Sequence, residues 1–477
     1  MKSGSFGWRS LRQYFVQQAV SIFAGVALVL CGIIAALRVI SDSFVVAVVS
    51  AVVFIEFIRK MDRGVPFVHL AAVVAVLQWL VGPLFGYEST LVFDRYQMYV
   101  SPDTYFSYAL PATCCYLVGL LLLGTSVSPA PLLQMVNRRR FVVIGFSLIA
   151  VGNLAVAASS RISGNIEFVL YLVGNFRYVG ALYLVFSLHQ LRIPFAVLAF
   201  TPLVAVSVNT AFFHDMLLWG AICFLYWFST RRWGIGQKSV LLAVAFFAVF
   251  SLQTVKHAYR EQLRVDRESA SLVNLLIDML SPGGAGWEEA SIENVLVRLN
   301  QGWIVSAVLY HVPAEQPFFG GETYVDAFKA ALLPRFLAPD KRTADLRVNF
   351  RRMTGLQIAD TTSMGVSPLG EAYANFGIYG GSFALLCYGI LLGGFVRATL
   401  LFCLRSPTLI LWLPVIFFAA LKAETESLVV LNQLVKGSII VAFGLFGVQK
   451  LYPVSFRKGM SHRVRPGASI SSARQSL

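Results

Sequence analysis

Apolar runs of about 20 residues, the length that crosses a bilayer, recur along this chain and limit its fold more than any other feature. Twelve runs qualify as candidate spans: 16–37, 43–58, 66–85, 105–126, 141–158, 167–188, 194–212, 215–229, 239–253, 369–396, 408–421 and 428–448. The second, eighth, ninth and eleventh are short, and the count can shift by a hairpin there. Inside lipid each backbone polar group must be satisfied within its own segment, which makes such runs helices. Composition agrees, with 57% apolar residues, 13% charged residues and a mean hydropathy of +0.70. A soluble domain carries roughly a quarter charged residues. The expected fold is therefore all-α, a polytopic transmembrane bundle of about twelve helices.

The first run ends at Arg38 without a small-residue cleavage site, so it reads as a retained signal anchor. The six cysteines lie in or beside apolar runs at no disulfide or metal spacing and read as packing residues. A net charge of +15 is compatible with nucleic acid, but the basic residues sit mostly in short loops between runs. There they set orientation. With a cytoplasmic N-terminus, the inside segments hold 21 lysines and arginines against 4 in the short outside loops (Arg38, Arg95, Arg161 and Lys422). Both termini are expected in the cytoplasm. The chain divides into spans one to nine (1–253), an extracytoplasmic arginine-rich helical segment (254–365), spans ten to twelve (366–448) and a basic tail (449–477).

The long segment holds twelve basic and thirteen acidic residues. Lys256, Arg260, Arg264 and Arg267 share one face of a helix expected over Thr254 to Leu280, where Glu261 and Glu268 can pair with Arg264. An amphipathic helix from Ser291 to Val312 carries Arg298, Asn300, Gln301 and His311, and is expected to lie in the interface or to pack on the spans. His311 has no ligand partner at i±3 or i±4 on this reading. Next comes Gly320-Gly321-Glu322-Thr323-Tyr324, then a helix to Leu333. Pro334 and Pro339 hold Arg335 in a stiff, extended stretch that ends at Lys341, a placement suited to a fixed anion. Thr343 is a candidate N-cap for a short helix closed by Gly355, with Arg347 and Arg351 on one face opposite Leu346, Phe350 and Met353. Helix capping accounts for Arg351 and Arg352 but not for Arg347.

Ser367 and Pro368 read as the N-cap and first residue of the tenth span, from which Glu371, Asn375 and Tyr379 form a polar stripe entering the bilayer. Glu371 in the first turn suits the helix dipole. Gly377, Gly381, Gly389 and Gly393 read as helix packing. Within spans the ionisable residues are Arg177 (beside Asn175), Glu56 and Lys436. Such a charge is either functional or paired, for Arg177 with Glu167 or with a carboxylate of another helix. No nucleotide-binding loop, metal cluster or serine elbow appears.

Three blocks carry a resemblance: the Gly-x-Thr-Tyr turn (Gly321 to Tyr324), Leu333 to Lys341, and Gly370 to Gly377 with Tyr373 and Asn375. Together with Lys256, Tyr259 and Arg260 they resemble bacterial polysaccharide repeat-unit polymerases, the O-antigen and exopolysaccharide polymerases of the Wzy type. The architecture is similar over the whole chain, and the motifs cover about a quarter of it. The resemblance implies an inner-membrane glycosyltransferase acting at the periplasmic face on undecaprenyl-diphosphate-linked oligosaccharide, without cofactor or metal. A chain-length regulator and a flippase are the partners it suggests. Cations would neutralise the departing diphosphate: Arg260, Arg335, Lys341 and Arg347, with Arg298, Arg351, Lys256, Tyr259, Tyr373, Asn375 and Arg177 as further binding residues. Glu322 and Glu371, and behind them His311, are the candidate proton acceptors. A glycan ligase of the O-antigen-ligase type, or a transporter of the same lipid-linked glycan, stays open beside the polymerase.

Overall fold

The computed structural model describes residues 22–88, 96–124, 126–159, 161–162, 166–265, 271–281, 299–333, 346–359 and 364–454. Among them every regular element is a helix. In chain order these are α1 (Ile22–Leu37), α2 (Asp42–Lys60), α3 (Phe67–Glu88), α4 (Pro102–Leu123), α5 (Arg138–Ser159), α6 (Glu167–Val185), α7 (Arg192–Thr210) and α8 (His214–Phe228). There follow α9 (Ile235–Val265), α10 (Leu272–Leu280), α11 (Gly302–His311), α12 (Glu322–Leu332), α13 (Leu346–Thr354), α14 (Ser367–Arg405), α15 (Pro407–Phe417) and α16 (Ser427–Leu451).

Eight helices among the described residues are long and apolar enough to cross a membrane: α3 to α7, α9, α14 and α16. This is a multi-pass helical membrane bundle. The expected runs that fall short are the first, second, eighth and eleventh. α2 carries Asp42, Glu56, Arg59 and Lys60, α8 is 15 residues long, and α15 opens as a 3-10 turn containing Pro407. The ninth run, short in sequence, lies in one continuous helix of 31 residues. That is about 46 Å at 1.5 Å per residue, more than a bilayer needs. The helix expected over Thr254 to Leu280 is therefore two elements, the end of α9 and a separate α10.

The core forms around α4 and α14, which run side by side. Gly389 and Gly393 abut the backbone of Tyr116 and Leu120 of α4, so backbone meets backbone where any side chain would intrude, and Gly381 abuts the Tyr108 hydroxyl. Packing is thus the role of these three glycines. Gly377 does something else. Its φ of 67° and ψ of −161° interrupt α14, a conformation open to glycine and closed to β-carbon-bearing residues. Beyond it the chain folds back, and a Cβ on Gly381 would lie 3.1 Å from the Ala372 carbonyl. Nine residues of unbroken helix would separate those positions by about 13 Å. The expected polar stripe is consequently broken: Glu371 and Asn375 are each 1% exposed, whereas Tyr379 is 91% exposed.

α11 settles between the spans rather than in the interface. Eight of its ten residues are buried, and Gly302 meets Pro83 and the Tyr105 hydroxyl.

Candidate functional site

Two sequence blocks that are far apart in the chain meet at the Gly377 break. The short helical stretch before the break ends with free carbonyls, and a turn at Gly320 and Gly321, both at positive φ, supplies their donors. Phe319 N–H donates to the Ala374 carbonyl at 3.0 Å, and Gly320 N–H to that of Asn375 at 3.1 Å. Gly321 N–H donates to Asn375 Oδ1 at 3.0 Å. Asn375 Nδ2 donates to Thr323 Oγ1 and to the Glu371 carbonyl, both at 2.8 Å. The Thr323 hydroxyl in turn donates to Glu371 Oε1 at 2.9 Å, and Ser427 N–H to Glu371 Oε2 at 2.8 Å. The Ser367 hydroxyl accepts from Gly370 N–H, the N-cap expected of it.

Glu371 therefore caps α16 rather than its own helix. Glu426, immediately before α16, is equally enclosed: it accepts from Asn349 Nδ2 at 2.9 Å and from Val366 N–H at 3.2 Å. Burial, and then the neighbouring Glu371 charge, push its carboxyl up to about 8, against the pull of those two donors.

The other predicted residues of this half are already engaged. Glu322 receives both terminal nitrogens of Arg352, at 3.2 and 3.4 Å, and that guanidinium lies 4.8 Å over the Phe319 ring. His311 Nδ1 is 3.1 Å from Glu315, so a carboxylate does stand at i+4, contrary to the sequence reading. The chain turns at the end of α11 and brings it back. Arg351 donates to the Ile358 carbonyl at 2.7 Å, Arg347 is half-buried on α13, and Tyr373 packs on Tyr108 with ring centres 5.0 Å apart. Arg298, Arg335, Lys341 and Thr343 lie outside the described residues.

A second group of predicted residues gathers around a cavity of about 560 Å³ between α5, α6, α7 and α8. Its lining includes Glu167, Asn175, Arg177, His214 and Asp215. α6 is interrupted by a one-residue turn at Asn175, whose backbone stays right-handed (φ −70°, ψ −11°), beside Arg177. Arg177 donates to the Tyr178 hydroxyl at 2.6 Å, while its Nε is buried without a partner. Among the described residues it has no ion pair, with Glu167 or any other carboxylate. Arg260 donates to the Ala211 carbonyl at 3.4 Å and lies over Phe212, and Tyr259 is buried with Ala211 and Phe213. Lys256, one turn earlier, is near enough to act on His214 electrostatically. Of the other charged residues expected in spans, Glu56 Oε1 pairs with Arg59 at 3.2 Å and Lys436 lies over Phe168.

There is a second cavity, of about 400 Å³. Tyr171 lines both, and Lys422 on the smaller cavity pairs at 2.8 Å with Asp215 on the larger. Phe168 and Phe418 supply aromatic faces, Gln301 and Gln433 amides, and Glu424 a carboxylate. Sequence reasoning missed Lys422 as a site residue, along with Glu424, Glu426, Asp215 and Arg352. The signal was Lys422-Ala-Glu-Thr-Glu426, three charges in five residues between two apolar runs. The described residues contain no cluster of histidine, cysteine and carboxylate groups suited to a metal. No protein-family model, curated protein or solved structure matches this chain.

Proposed function

We propose that this protein is a polymerase of lipid-linked oligosaccharide repeat units, working at the extracytoplasmic face of a bacterial inner membrane with both termini in the cytoplasm. About twelve spans, four of them short or irregular, complete the topology in this reading. The observation that carries it is the pair of cavities that share Tyr171. The larger is lined by Arg177, with Lys422 paired to Asp215 of its wall and Lys256 acting on its His214, cations suited to a diphosphate. The other offers rings, amides and a carboxylate, the mixture that grips a sugar.

The acceptor hydroxyl forms a bond to the donor's anomeric carbon as the bond from that carbon to the diphosphate oxygen breaks. The diphosphate leaves with the electron pair, stabilised by the cations, and the hydroxyl proton passes to Glu424. Glu424 replaces Glu322 and Glu371 in this role because it lines the cavity, whereas Glu371 is enclosed and Glu322 is paired. A ligase would use the same cavities with a different acceptor.

Transport is the second reading, favoured by the interruption of α6 beside an intramembrane arginine, since transporters bind cargo at broken helices. Deleting the gene separates the two. A polymerase leaves single repeats on the carrier at the outer face, open to an impermeant glycan probe. A transporter leaves them facing the cytoplasm, shielded from it.

A further inference from the structure

We propose that α12 is a re-entrant helix, running down beside the last span with its Val325, Phe328 and Leu332 face against lipid acyl chains.

Direction comes first. The N-terminal ends of α12 and α16 are tied together through Glu371, which accepts from Thr323 on one side and Ser427 on the other. From that shared start the two helices pack side by side. They must then run the same way, and α16 runs into the bilayer.

The faces of α12 agree. Thr323, Ala327, Ala330 and Ala331 are buried, small residues that let helices approach closely where lipid supplies no hydrophobic drive. Tyr324 points inward, within electrostatic reach of Glu371, Tyr108 and Tyr388, and Tyr388 stacks on Tyr116 in the body of α4. Only its third residue in, α12 already meets side chains of the spans.

The opposite side exposes three apolar residues, Val325 51%, Phe328 45% and Leu332 62%, with the half-buried Asp326 at its edge. In water such a patch is a liability. Here it continues a lipid-facing surface. Phe376 stacks on Tyr324 with ring planes 11° apart, and Tyr379 and Phe383 extend exposed aromatic surface along α14. Lys329 shares the exposed side, and its four-carbon stem is long enough to carry the ammonium toward the headgroups. By Asn349 the chain is again beside Glu426, at the level where it entered.

The test is a set of single variants of the full chain in sealed membranes, Glu322→Cys, Val325→Cys, Phe328→Cys and Leu332→Cys, labelled with a charged, impermeant maleimide after subtracting the parent's labelling. Glu322→Cys should label readily. Phe328→Cys and Leu332→Cys should label more than about tenfold slower, because a charged probe is excluded from the hydrocarbon, and detergent should abolish the difference. A benzophenone side chain at Phe328 should crosslink to phospholipid. Equal labelling at Glu322, Phe328 and Leu332 in intact membranes, or crosslinking at Phe328 to protein alone, would overturn the proposal. Neither outcome depends on whether the protein transfers glycans.

Discussion

The carboxylate of Glu371 accepts the backbone N–H of Ser427 at 2.8 Å, so a side chain from the start of α14 caps α16, 56 residues further on. Its other oxygen holds Thr323. Removing this carboxylate strands two buried donors, at a cost of about 1–3 kcal/mol each. Glu371→Ala should lower the thermal midpoint and the yield of monodisperse protein. Glu371→Gln should do so less, because its amide oxygen still accepts one bond. Size-exclusion profiles across a heating series make the measurement, and a Glu371→Ala protein as stable as the parent would contradict this role.

Glu426 gives stability a pH dependence. Its carboxyl is held at about 8 in the fold, against 4.5 when free. The folded state therefore keeps a proton that the unfolded chain releases. That contribution is complete below 4.5 and is lost as pH rises through about 8. Thermal stability should decline over this window, and Glu426→Gln should flatten the decline. A parent protein equally stable at both ends would count against a protonated Glu426.

Arg177 is expected to act through its planar fork. Arg177→Lys keeps the charge but loses the second donor, and a charge-assisted contact is worth about 1.5–3 kcal/mol. Polymer formation should fall by roughly tenfold or more on that scale, with normal protein levels. Full activity in Arg177→Lys would remove the guanidinium from the site.

Orientation is tested by reporter fusions. Insertions at Pro317 should report the extracytoplasmic side, and those at Arg139 and Arg232 the cytoplasm. A cytoplasmic signal at Pro317 would invert the bundle and place both cavities at the wrong face.

The helices were legible because apolar length in lipid dictates helix, and eight of the twelve runs fall on helices long and apolar enough to cross a membrane. The site was legible in part. Arg177 lines one cavity, Arg260 lies over Phe212 of its wall, and the Gly320 and Gly370 blocks do meet. What periodicity missed was the break at Gly377. A single positive φ takes Glu371 and Asn375 off the line of Tyr379, and a helical wheel cannot register that. Lys422, Glu424 and Glu426 were passed over because loop charges beside a span read first as orientation signals. Their roles come from contacts with Asp215, Asn349 and Val366, all at long range in sequence.

The central claim is glycan transfer between lipid carriers with Glu424 as the base. The most direct measurement supplies purified protein in liposomes with lipid-linked repeats and counts polyprenyl diphosphate released per glycosidic bond formed. The expected result is one for one, with Glu424→Gln slowed about a hundredfold or more, the range for a lost general base. Repeats that stay unextended while crossing the bilayer, or a Glu424→Gln protein at the parental rate, would contradict it.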